Sequence, residues 1–262
     1  MNLRALAEAA THRFVFKRSL PPPYQQVRLF VSSESGLRYL KPRLSNVDPS
    51  LLRLVTEFVQ PGHTVWDIGA NIGLFTFTAA TRAGSGGHVL AVEADTWNVA
   101  LLRRSGVLTT SASAPVDVVP VAISDVDGFA RFNIAVRSRS TNHLDGYGST
   151  QTGGVRETQV VPTVTLDHLL DHFPAPDVLK IDIEGAEVLA LAGATAVLER
   201  RPVIICEVAA ENAAAVRNLL LPHGYRFYDG ELAGVRTPLD DPPYSTVALP
   251  EVTRSATSTS AP

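Results

Sequence analysis

The run Asp67-Ile68-Gly69-Ala70-Asn71-Ile72-Gly73 constrains this chain most, because the β-prone Thr64-Val65-Trp66 leads into it and a helix-like segment over 74–82 leaves it. Strand, glycine turn and helix make a ligand cradle. Gly69 and Gly73 can take positive φ and let the backbone approach a ligand, while a helix start presents unpaired N–H groups and the positive end of its dipole. The expected ligand therefore carries a carboxylate or a phosphate. About twenty residues on, the run His88-Val89-Leu90-Ala91-Val92 predicts a second strand ending in Glu93, where a carboxylate can accept both hydroxyls of a ribose. Both features fit an adenosine-bearing cofactor, although a glycine turn between strand and helix can also be plain connection chemistry.

The glycine spacing narrows the cofactor. The dinucleotide fingerprint needs a middle glycine beside the pyrophosphate, and here that position is Asn71. The pattern D-x-G-x-x-x-G resembles the first motif of class I S-adenosylmethionine methyltransferases. A second segment, Val178-Leu179-Lys180-Ile181-Asp182-Ile183-Glu184-Gly185-Ala186-Glu187, resembles the V-x-K-I-D-V-E-G-A-E signature of the FkbM-type methyltransferases, and the likeness extends to Leu189 and Gly193-Ala194. It covers 51–207, with Ala122-Ile123-Ser124-Asp125 and Thr165-Leu166-Asp167 in family order; Ala94 departs from the family's usual Pro. The resemblance implies S-adenosylmethionine as cofactor and O-methylation, often of a sugar or polyketide hydroxyl. It implies cofactor contacts from Asp67, Gly69, Ala70, Asn71, Gly73, Glu93, Ala122 and Asp182, with the first acid and the turn at the amino-acid end and Glu93 at the ribose.

Alternating strands and helices predict a Rossmann-like α/β fold, a mostly parallel sheet with helices on both faces. Helices are expected over 48–59, 95–106, 184–200 and 212–221, with strands over 177–182 and 203–207 and two closing strands. The β-rich runs 116–123, 130–136 and 157–165 predict an insertion before the fourth central strand. With 262 residues, 45% of them hydrophobic, one α/β domain over 47–250 is expected, preceded by an extension over 1–46 with a short helix in 2–12 and followed by a tail over 251–262. A net charge of −3 gives no global attraction to nucleic acid or an anionic membrane. There is no apolar run of signal-peptide or transmembrane length, and the lone Cys206 forms no intrachain disulfide, so a cytoplasmic protein is expected.

Ligands of such sheets bind beyond the carboxyl ends of the strands, where Asp67, Glu93, Asp182 and Glu207 are expected to gather. Asp182, ending the fourth strand, is the leading catalytic candidate, with Lys180, Glu184 and His143 beside it. Lys180 shares a strand face with Asp182 and is expected to pair with Asp182 or Glu184, the alternative being a desolvated base. Glu184 and Glu187 can equally serve a helix start. Asp182 and Glu207 could hold a divalent cation such as Mg²⁺, though no closely spaced third ligand is visible. In the polar insertion 137–154, His143 is a candidate base and Tyr147 a sugar platform, unless that loop is only surface. Asp241-Pro242-Pro243-Tyr244 looks like the D-P-P-Y motif of amino-group methyltransferases but falls near the last strand and reads as a turn. The acceptor expected is a small or medium hydroxylated molecule, a sugar metabolite or glycolipid precursor. Alternatives are an amine acceptor and a non-catalytic interaction module.

Overall fold

The computed structural model describes residues 14–35, 39, 44, 47–149 and 153–251; the helix expected in 2–12 and the tail beyond 251 lie outside them. An antiparallel pair, β1 (Val15–Ser19) and β2 (Arg28–Ser32), precedes α1 (Pro49–Phe58). Asp48 caps that helix by accepting the Leu51 N–H at 3.0 Å, the ordinary use of an Asp before a Pro at the first helical position. β3 (Thr64–Ile68), α2 (Leu74–Ala83), β4 (His88–Val92), α3 (Thr96–Gly106) and β5 (Val116–Val119) then alternate. A second sheet interrupts them, built from β6 (Ala122–Ile123), β7 (Gly128–Ala135), β8 (His143–Leu144) and β9 (Val155–Val164). After α4 (Leu166–Leu170) come β10 (Val178–Ile181), α5 (Glu187–Ala192), α6 (Thr195–Glu199), β11 (Val203–Glu207), α7 (Ala213–Leu220), β12 (Tyr225–Asp229) and β13 (Ser245–Pro250).

Across the central sheet the order is β12-β13-β11-β10-β3-β4-β5, and only β13 runs against the rest. This is the Rossmann-like class I arrangement, with the β-rich insertion lying before β10, the fourth central strand. Two expected elements divide. The run 116–123 breaks at Pro120, which has no N–H to carry a ladder onward, so Val116–Val119 edges the central sheet while Ala122–Ile123 pairs with β9. The helix expected over 184–200 begins only at Glu187 and breaks at Gly193-Ala194. A Cβ on Gly193 would stand 2.7 Å from the Ser124 carbonyl oxygen, so the second sheet occupies the path of a continuous helix. Asp167 then caps α6 from outside, accepting the Ala196 and Val197 N–H groups at 3.0 and 2.9 Å.

Burial on both faces follows the period of two along each strand. Val65, Val89 and Val178 pack with α1, α2 and α3, while Trp66, Ile68, Leu179 and Ile181 pack with α4 to α7. Register matters here: Lys180 stands beside Asp67 across the β10–β3 pair, so the two charged side chains share one buried face. Among the described residues no helix is long and apolar enough to cross a membrane.

Candidate active site

A cavity of about 330 Å³ opens beyond the carboxyl ends of β3, β4, β10 and β11. Apolar side chains wall one end, among them Ala94, Val121, Ala122 and Phe132, and Asp182, Glu184 and Glu207 line the other. The turn after β3 lies between them. Gly69 has φ 76°, and a Cβ there would fall 1.9 Å from the Asp182 carbonyl oxygen, so only glycine lets the β3 and β10 ends abut. Asn71 takes the left-handed conformation at φ 50°, which Asn tolerates better than most residues, and it lines the cavity.

Glu93 locks this turn. Its Oε2 accepts the Asn71 N–H at 2.6 Å, and its Oε1 accepts the Asp95 N–H at 2.8 Å. Burial pushes its pKa up to about 7, the two N–H groups and Lys180 opposing that rise and Asp95 adding to it. The N–H groups of Gly69 and Ala70 donate to the Val92 carbonyl, and that of Gly73 to the Ala70 carbonyl. These donors are already spent, so the N–H groups of Gly69, Ala70, Asn71 and Gly73 are not free to bind an anion. Ala70 and Gly73 do not line the cavity: Ala70 packs into the core, and a Cβ on Gly73 would meet the Phe77 ring at 2.5 Å.

Asp67 is also displaced from its expected place. It is fully buried behind the turn, with Oδ2 accepting the Thr76 hydroxyl at 2.5 Å and Oδ1 forming an ion pair with Lys180 Nζ at 3.1 Å without hydrogen-bond alignment. It supports the cradle from beneath. Lys180 Nζ also donates to the Gly69 carbonyl at 2.8 Å and lies 3.4 Å from Asp182 Oδ2. Burial opposes its charge, but Asp67 and Asp182 outweigh burial and hold its pKa above the ordinary lysine value. Lys180 is therefore a fixed cation and not a base. Its first partner, Asp67, sits across the sheet, where strand register and not sequence distance brought it.

At the acidic end, Glu184 sits at φ 51° with its pKa pushed up to about 8, by burial first and then by Asp182, Glu207 and Glu187. Burial and Asp182 likewise raise Glu207, against a hydrogen bond from Tyr244. The Tyr244 hydroxyl donates to Glu207 Oε2 at 2.6 Å, and its ring lines the cavity mouth although 65% exposed. From sequence this tyrosine belongs to a Pro-Pro turn; it reaches the site because β13 lies beside β11. Asp241 of the same motif does not reach the site, pairing with Arg217 at 3.5 Å. Glu187 caps the turn, accepting the Gly185 N–H at 2.7 Å.

His143 does not reach the site either. Its side chain is buried in the second sheet, with Nδ1 3.1 Å from the Thr141 carbonyl, and its neighbours Thr141, Asn142 and Leu144 line the cavity instead. Strand alternation turned it away. Tyr147 does not line the cavity; its neighbour Gly148 packs against the Glu184-Gly185 turn, where a Cβ would fall 1.9 Å from the Glu184 carbonyl oxygen. Asp182 and Glu207 both line the cavity, yet among the described residues no group of three or more His, Cys, Asp or Glu side chains has metal-holding spacing. Cys206 is buried, and its surroundings raise its pKa.

A profile of the methyltransferase FkbM domain matches residues 67–227, more than half of the chain. The chain belongs to the FkbM family of class I S-adenosylmethionine-dependent methyltransferases. Over 166 residues, 62% of each chain, this FkbM protein is 26% identical to the hexuronic acid methyltransferase AglP of Haloferax volcanii. It is similar to methyltransferase FkbM from Methylobacillus flagellatus, with a TM-score of 0.46 and 17% identity over 76% of this chain and 50% of that one. It is also similar to the magnesium protoporphyrin IX methyltransferase of Synechocystis, solved with S-adenosylmethionine, with a TM-score of 0.38 and 16% identity over 78% and 76% of the two chains. The chain thus spans half to about three fifths of the lengths of AglP and the Methylobacillus protein.

The residues present fit the family cofactor. Asn71 Oδ1 is buried without a partner among the described residues, an acceptor that an amino or hydroxyl donor of the ligand would satisfy. Each Glu93 oxygen keeps a lone pair for a ribose hydroxyl, and the apolar wall suits a purine. Charge decides between cofactors. Asp48, Asp182, Glu184 and Glu207 line the far end, and Arg139, the basic lining residue, is engaged with Glu34 and Asp95. That field favours a sulfonium and ammonium over a pyrophosphate.

Proposed function

We propose that this protein transfers a methyl group from S-adenosylmethionine to a hydroxyl of a small or medium acceptor, a sugar-containing metabolite or glycolipid precursor. The observation that carries this reading is a single cavity with a ribose-type acid, Glu93, at one end and three carboxylates from the ends of β10 and β11 at the other. S-adenosylmethionine, when bound, supplies an electrophilic methyl on positively charged sulfur. The chain's part is to align the acceptor, exclude water and receive a proton.

Asp182, with the Lys180 ammonium 3.4 Å behind it, is placed to orient the acceptor hydroxyl. Glu184 is placed to take the hydroxyl proton onto its carboxylate, since a base works best with a pKa near the working pH and this one stands near 8. The exposed face of Tyr244 offers a platform for a sugar ring at the mouth, its hydroxyl tied to Glu207. AglP, by its name, acts on a hexuronic acid, which favours a sugar-derived acceptor here too. The acids at this end, with the lining arginine already paired, favour an uncharged sugar over a uronate.

Transfer of labelled methyl to an acceptor panel tests this. Uncharged glycosides, amino sugars, uronates and simple amines would be offered, and the methylated atom located by mass spectrometry and NMR. Label on oxygen of an uncharged sugar is the expected result. Label on nitrogen would establish the amine reading, and cofactor binding without turnover on any member would favour an interaction module.

A further inference from the structure

The insertion between β7 and β9 lines the cavity through 139–142 and Leu144, and one of these side chains ties the insertion to the rest of the chain. Arg139 is nearly buried; its Nε donates to Glu34 Oε2 at 2.6 Å and its Nη1 to the two Asp95 oxygens at 2.8 and 2.6 Å. Its guanidinium lies over the Trp97 ring, 5.7 Å from the centroid, within cation–π range. Asp95 in turn accepts the Trp97 N–H at 2.9 Å and Asn142 Nδ2 at 2.8 Å, while its own N–H is one of the two that hold Glu93. One guanidinium therefore joins three segments distant in sequence. They are the turn after β2, the N-cap of α3 and the insertion, and the first of these lies outside the 67–227 family match.

We infer that Arg139 is a positioning residue of the cofactor site, fixing the Asp95 turn that holds Glu93 and drawing residues 139–142 in as a wall of the cavity, so that the N-terminal hairpin completes the site through Glu34. The inference rests on the S-adenosylmethionine reading above. A planar fork between two carboxylates is pre-organised for this task, and neither an apolar residue nor a lysine reproduces it.

Charge gives the inference a signature beyond folding. The charged groups about Glu93 are Asp95 on its own segment, which disfavours its ionised form, Lys180 from β10, which favours it, and Arg139, which neutralises Asp95. Without the guanidinium, Asp95 faces Glu93 uncompensated, and Glu93 holds its proton to higher pH. A carboxylate that accepts ribose hydroxyls binds best when ionised, so cofactor affinity should lose its high value as pH falls through the Glu93 pKa. Arg139 sets where that loss occurs.

The test is calorimetric titration of the full chain with S-adenosylhomocysteine from pH 6 to 9, on wild type, Arg139→Gln, Arg139→Lys and Glu34→Gln, with circular dichroism reporting folding. At pH 7.5, Arg139→Gln should bind at least roughly tenfold more weakly, and the midpoint of its pH dependence should move up by about one unit. Arg139→Lys should restore the midpoint but only part of the affinity, because one ammonium lacks the spread by which Nε and Nη1 reach Glu34 and Asp95 together. Glu34→Gln should weaken binding by about threefold and leave the midpoint in place. A folded Arg139→Gln with wild-type affinity and midpoint overturns the inference. If that variant does not fold, wild-type affinity in both Arg139→Lys and Glu34→Gln overturns it. A wild type that binds no S-adenosylhomocysteine defeats the cofactor reading itself and this inference with it, whereas binding unaffected by any variant defeats the inference alone.

Discussion

The two ends of the cavity are built by opposite rules. At the cofactor end the cradle itself comes from one contiguous strand, turn and helix plus one acid at the next strand end, with the second sheet supplying its apolar wall, and each backbone N–H named in that turn has a partner. The acidic end is gathered from β10, β11 and the start of β13, and burial, together with neighbouring carboxylates, raises the pKa values of Glu184 and Glu207. A local cradle can be satisfied by its own backbone, but a site assembled from distant segments keeps unrelieved charge, which is what proton-transfer chemistry uses. The ends meet at two residues. Gly69 abuts the Asp182 carbonyl, and the Lys180 ammonium holds Asp67, the Gly69 carbonyl and Asp182 together.

Substitutions at the joint should damage both ends, and those at one end should damage only that end. Gly69→Ala puts a methyl onto the Asp182 carbonyl at a positive φ, so a loss of about 4 kcal/mol or more in stability is expected, with cofactor affinity and turnover lost together. Urea unfolding checks this, and an unchanged midpoint would mean that the ends are not in contact. Lys180→Met leaves Asp67 buried without its cation and should cost about 3–4 kcal/mol in the same measurement. Asp182→Asn should act at one end only. A fall of about a hundredfold in turnover is expected, with S-adenosylhomocysteine affinity within a few-fold, and steady-state kinetics beside calorimetry separates the two.

The smallest expected effect concerns Glu184. Its pKa is higher in the folded than in the unfolded chain, so the folded state keeps a proton that the unfolded state releases, and stability is full below pH 4.5 and falls as pH rises to about 8. Discounted for partial exposure, the loss at pH 8.5 is on the order of 2 kcal/mol. Glu184→Gln should recover that amount at pH 8.5 and nothing at pH 4.5, while turnover falls. Equal gains at both pH values would show that the substitution does not act through the carboxylate's charge.

This contrast also explains what the sequence could reveal. Glycine spacing and the acid at the end of β4 are local, so the turn, Glu93 and the order of central elements were legible. Which residues of the turn face a ligand was not, because Ala70 and Gly73 look inward for reasons of core packing that span the chain. Asp67 and Lys180 were each visible as charged residues in apolar strands, but their pairing depends on strand register. Tyr244 was hidden in a proline turn, and His143 was misplaced because a two-residue strand reverses side-chain direction with a single step. Arg139 carried no local signal at all, since Glu34 and Asp95 are 105 and 44 residues away.

The most direct measurement is calorimetric titration of wild type and Glu93→Ala at pH 8 with S-adenosylhomocysteine and, separately, with NAD. Wild type should bind S-adenosylhomocysteine and not NAD, and Glu93→Ala, still folded, should lose about 1.5–3 kcal/mol of that binding, the range for hydrogen bonds to a charged group. Tighter binding of NAD, or an unchanged affinity in folded Glu93→Ala, would contradict the assignment of this cavity to S-adenosylmethionine.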